Sequence, residues 1–86
     1  MKLLGRNRLN QLKSESSAIK VWVTAWSSEI DSCSWKSVDE VKDRFPSVVC
    51  IENCKFTFKV DGCDMVIETI MDFNALTVLI IAVKVT

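Results

Sequence analysis

Apolar residues recur at three- and four-residue intervals in the first half of the chain and at every other position in the second. The first spacing is that of one face of a helix, the second that of one face of a strand. Ile19, Trp22, Val23, Trp26 and Ile30 predict a helix starting near Ala18. The run Ile19, Val21, Val23 would also suit a strand, but Trp26 and Glu29 sit in the helical register and favour helix. Leu9 and Leu12 predict a shorter basic helix from Asn7 to Ser14, and Lys2-Leu3-Leu4, closed by Gly5, predicts an edge strand. Between the helices, the polar run Ser14-Glu15-Ser16-Ser17 supplies a cap. Ser37-Val38-Asp39-Glu40 reads as a capping box, in which the serine hydroxyl accepts from the Glu40 amide and the Glu40 carboxylate reaches back. Val38, Val41 and Phe45 would face inward on that helix, and Pro46 ends it.

Beyond Pro46 the period is two. Val48 and Cys50, in a pattern that can extend to Glu52, alternate with Val49 and Ile51. Phe56, Phe58 and Val60 alternate with Lys55, Thr57 and Lys59, and Asp61-Gly62 marks a tight hairpin turn. Met65 to Phe73 is a third strand, a turn follows around Asn74, and Thr77 to Val85 is a fourth. The fold class expected is therefore α+β: an N-terminal strand and two to three helices packed on one face of a small antiparallel sheet. From Val78 to Val83 the last strand is apolar on both faces. Such a strand is either central and covered twice, or one face awaits a partner, a second copy of the chain included. In so small a protein the second option is favoured.

The chain has 86 residues, 49% apolar and 26% charged, which predicts one domain (1–86) near the lower size limit for an unaided core. No secretory leader is expected from Met1 to Arg8. The longest apolar stretch, Ala75 to Val83, is far short of the roughly 20 residues that cross a membrane. A soluble cytoplasmic protein with no membrane partner is the expectation. Formal net charge is zero but unevenly spread. Lys2, Arg6, Arg8, Lys13 and Lys20 face only Glu15 at the N-terminus, whereas Asp61, Asp64, Glu68 and Asp72 face only Lys84 at the other end. If RNA or a ribosome is bound, Arg6, Arg8 and Lys13 are the candidate contacts; the competing reading is a solvated basic helix face. Cys33, Cys50, Cys54 and Cys63 lack the paired C-x-x-C spacing of a zinc site, and the chain has no His, so neither metal nor cofactor is expected. Reduced thiols are expected, the alternative being a Cys50–Cys54 or Cys54–Cys63 bridge in an oxidising compartment.

The segment Ala25-Trp26-Ser27-Ser28-Glu29-Ile30, then Trp35, Ser37-Val38-Asp39-Glu40-Val41-Lys42 and Arg44-Phe45-Pro46-Ser47, resembles the HigB-type toxins of the RelE/ParE superfamily. Phe56-Thr57-Phe58-Lys59-Val60-Asp61-Gly62 is similar to that family's phenylalanine-rich strand and glycine turn. The likeness covers residues 1–62 well and 63–86 in hydrophobic pattern only. It implies a small α+β fold, ribosome-dependent cleavage of messenger RNA, and neutralisation by a helix-turn-helix antitoxin. Cleavage requires a base for the ribose 2′-hydroxyl, a cation for the phosphorane and an acid for the leaving oxygen. The resemblance would place an arginine where this chain has Val66, and a histidine near Thr86; Asp61 and Asp64 stand where lysines are common. The candidate catalytic cations are then Lys55, Lys59 and Lys84.

Three functional readings follow. The first is a toxin-family protein with weak or lost nuclease activity that acts by protein binding. The second is an active messenger-RNA endonuclease, and the third is an unrelated small interaction module. Trp22 and Trp26 read as core in preference to a base-stacking platform, Glu29 as a surface or helix-pairing charge, and Lys59 as a solvent-facing strand residue.

Overall fold

The two periodicities resolve into helices in the first half and strands in the second. The computed structural model describes residues 1–13, 16–52 and 54–85. Its strands are β1 (Lys2–Leu4), β2 (Val49–Ile51), β3 (Lys55–Lys59), β4 (Met65–Asp72) and β5 (Thr77–Val85). The helices are α1 (Asn10–Lys13), entered through a 3₁₀ turn at Arg6–Leu9, then α2 (Ser17–Ser32) and α3 (Val38–Arg44). The first helix thus begins one residue earlier than expected and in the tighter 3₁₀ form; Ser14 and Glu15 lie outside the described residues.

One sheet runs in the order β1-β5-β4-β3-β2. The chain from β2 to β5 is the expected antiparallel meander. β1 joins it in parallel, Leu3 opposite Val78 and Leu4 opposite Leu79. This pairing makes β5 a central strand at its N-terminal end.

All helices lie against one face. Leu9, Leu12, Ile19, Val23, Ile30 and Val41 meet Leu3, Phe56, Phe58, Ile67, Met71, Val78 and Ile80 from the sheet, and every one of these is buried. Trp26, Phe45, Trp35 and Phe58 interlock edge to face, with ring centroids 5.3 to 5.8 Å apart, a favoured aromatic geometry. The buried Thr69 hydroxyl donates to the Phe56 carbonyl at 3.0 Å, so the one buried threonine of β4 keeps its hydrogen bond.

Local chemistry sets the element ends. The Ser16 hydroxyl caps α2, accepting from the Ile19 amide at 3.2 Å. At α3 the Ser37 hydroxyl accepts from the Glu40 amide at 3.4 Å. The Glu40 carboxylate reaches one residue further back than in a capping box and accepts from the Lys36 amide at 2.6 Å. The Met1 ammonium donates to the Ile30 carbonyl at 3.1 Å, at the C-terminal end of α2, where a cation suits the helix dipole. Between β3 and β4 the hairpin is wider than a two-residue turn. Val60 N–H bonds the Met65 carbonyl at 3.1 Å, which leaves Asp61 to Asp64 as a four-residue loop with Gly62 at φ 89°. β2 starts at Val49, and the alternation does not reach Glu52, which turns the chain at φ 61°.

A bulge shapes β5. Glu68 pairs with Ala82 and Thr69 with Ile80, so Ile81 is an extra residue on β5. Such an insertion shifts the alternation by one. Val78 and Ile80 point to the core before it and Val83 after it, while Leu79 and Ala82 turn to the other face. Part of the two-sided apolar character of this strand is thus a change of phase.

Candidate functional site

The face of the sheet turned away from the helices has no covering element among the described residues. Register aligns its side chains in rows across the strands. One row runs Leu4, Leu79, Ile70, Lys55, Ile51 from β1 to β2. Its four apolar members are all exposed, Leu4 by 39%, Leu79 by 41%, Ile70 by 40% and Ile51 by 46%. The next row is Ala82, Glu68, Thr57, Val49, and beyond it stand Lys84, Val66 and Lys59. On the far side of the apolar row lie Lys2, Thr77 and Asp72. An apolar band on an otherwise solvated face, here interrupted by Lys55, is a candidate interaction surface.

Lys55, Lys59 and Lys84 all emerge on this face, though at separate places on it. Their surroundings differ from a phosphate cradle. The Lys84 ammonium is bound to the Glu68 carboxylate at 3.0 Å, and that carboxylate is largely shielded, 16% exposed. Lys59 and Lys84 are two strands apart, about 10 Å at ordinary strand spacing, and Val66 fills the place between them. Asp72, the other acid on this face, accepts from the Asn74 and Ala75 amides, both at 3.0 Å. Thr86 lies outside the described residues.

The anchors of the resemblance meet elsewhere, between α2 and α3. Trp22 and Trp26 stack at 6.3 Å with planes 9° apart. Trp26 is 3% exposed and Trp22 half-buried, so Trp26 is core and Trp22 edges it. Glu29 pairs with Arg44, which makes it a helix-pairing charge; that hydrogen bond also raises the guanidinium pKa above its ordinary value. With Ala25 and Phe45 these residues line a cleft of about 180 Å³. The Trp26 indole N–H is buried without a partner among the described residues, and nearby Cys33 has its thiol pKa raised by burial first and by the Glu29 carboxylate second.

Arg6 is paired with Asp31 of α2, Arg8 is exposed, and the Lys13 side chain lies outside the described residues. The four cysteines are free thiols; among the described residues no three Cys, Asp or Glu side chains gather as a metal site would need. Among the described residues no helix is long and apolar enough to cross a membrane.

Sequence reasoning missed Leu4, Ile51, Ile70 and Glu68 as members of this site. The available signal was the pair of apolar residues flanking Glu68 two positions away, Val66 and Ile70, on what alternation makes the solvent side of β4. The chain matches no known protein-family model and no characterised protein.

Proposed function

We propose that this chain is a HigB-type, RelE-superfamily protein of a type II toxin–antitoxin system that works by binding protein, its nuclease chemistry weak or lost. The observation that carries the proposal is the composition of the open sheet face. It is an apolar band beside which Lys84 is held by the shielded Glu68 carboxylate, where cleavage would need a proton donor and a base as well as cations around a phosphate. The chain contains neither His nor Tyr, the residue types that most readily shuttle protons there. A cognate helix-turn-helix antitoxin is the partner that the family resemblance implies.

The endonuclease reading retains one specific support: Lys55, Lys59, Lys84 and Glu68 share a face. Primer extension on messenger RNA from programmed ribosomes separates the two. Binding without cutting predicts no codon-periodic breaks and no growth arrest on overexpression. Periodic breaks that fall about 10²-fold with Lys59→Ala would establish the nuclease instead.

A further inference from the structure

The open face is positive as well as apolar. Lys2, Lys55, Lys59 and Lys84 emerge on it against Glu68 and Asp72. Glu68 is paired with Lys84, whereas Asp72 caps its own turn through neutral amides and keeps its negative charge. No ion pair holds Lys2, Lys55 or Lys59 among the described residues. The charge left for an incoming surface is therefore positive at Lys55 within the apolar row and at Lys59 beyond it, while Lys2 and Asp72 balance on the other flank.

The row itself has a length. From Leu4 to Ile51 it crosses five strands, four spacings of about 4.8 Å, or roughly 19 Å. A helix laid along it at 1.5 Å per residue would use about 13 residues. Its apolar stripe would rest on Leu4, Leu79, Ile70, the Lys55 stem and Ile51, a mode in which helical anchors at i, i+3, i+4 and i+7 are read by a flat or grooved apolar surface. Acidic residues beside that stripe would meet Lys55 within the row and Lys59 on the side away from Asp72.

We infer that the open sheet face is a docking surface for an acidic amphipathic helix of a partner protein, lying across the strands along the row from Leu4 to Ile51. This rests on the binding reading above and names its partner's chemistry. A second copy stacked face to face would oppose lysines to lysines, which costs affinity. Single-stranded RNA would meet the lysines but leave the apolar band uncovered, and no aromatic side chain stands among the face's rows to stack a base.

The test is isothermal titration of the intact chain with three probes. One is an amidated peptide of about 14 residues with Leu at helical spacing and Glu beside it. The second carries Lys for each Glu, and the third is a short mixed-sequence single-stranded RNA. The inference expects the acidic peptide to bind and gain helicity, and the basic peptide to bind at least tenfold more weakly. Ile70→Ser and Lys55→Glu should each weaken acidic-peptide binding by roughly tenfold or more. Both positions are on the surface, so both variants should melt with the parent; Lys55→Glu keeps the test informative if Ile70→Ser loosens β4. The inference is overturned by equal binding to parent and variants, by no binding of the acidic peptide at about 1 mM, or by RNA binding in its place that Lys55→Glu abolishes. Dimerisation of the parent that Ile70→Ser abolishes would overturn it in favour of a second copy. Failure of the parent chain to bind the acidic peptide, without ribosome-dependent cleavage, sinks this inference alone, whereas cleavage sinks the binding reading beneath it.

Discussion

Gly5 shows how much one residue can fix. It ends β1 at φ +83°, and a Cβ there would stand 2.8 Å from the Ile80 carbonyl oxygen. Gly5→Ala combines a left-handed strain with a backbone clash, and a loss of about 2 kcal/mol or more is expected in urea unfolding. An unchanged midpoint would mean that β1 does not approach β5 this closely. Cys33 and Cys54 make a second residue-level contrast. The Cys33 thiol is held protonated by burial and by Glu29, while Cys54 is exposed in the β2–β3 turn. Because the thiolate is the nucleophile, iodoacetamide at pH 8 should label Cys54 before Cys33 in a mass-spectrometric time course; the reverse order would contradict this placement. Individual roles were partly legible in the sequence. Glu29 was legible as a surface or helix-pairing charge, but its partner Arg44, fifteen residues on, was not.

Among the elements, α2 was readable because its burial follows a 3.6 period. Ile19, Val23, Trp26 and Ile30 are buried, while Val21, which the competing strand pattern would bury, is 68% exposed. Ser16 is its cap, so Ser16→Ala should cost about 1 kcal/mol, measured by thermal melting; no loss would show that the Ile19 amide finds another acceptor. The Glu29–Arg44 pair between α2 and α3 is about half exposed, so its removal should leave the melting midpoint nearly unchanged. The strands were legible to within a residue or two because alternation and turns are local signals. The bulge at Ile81 was not. It depends on which β4 residue faces which β5 residue, and nothing within β5 alone announces it. For the same reason the strand looked apolar on both sides, although Val83 belongs with the core side and Ala82 with the outer one.

Over the whole molecule, the family-like anchors and the proposed docking surface separate. Trp26, Trp35 and Phe45 tie α2 and α3 to Phe58 of β3, so they explain the scaffold. The open face depends on five strands coming into register, which no single segment of sequence reveals; Leu4 and Ile51 are 47 positions apart in the chain and occupy one row. The parallel pairing of β1 with β5 completes that row and is equally non-local. The account's central claim is that this face, and not the α2–α3 cleft or the N-terminal basic segment, is where a partner sits. Amide and methyl NMR of the labelled chain, titrated with the acidic helical peptide, tests it most directly. The account predicts shifts concentrated at Leu4, Leu79, Ile70, Lys55 and Ile51, with Trp22, Arg44 and Arg8 unmoved. Shifts confined to Trp22, Ala25 and Arg44, or to Arg6 and Arg8, would contradict it.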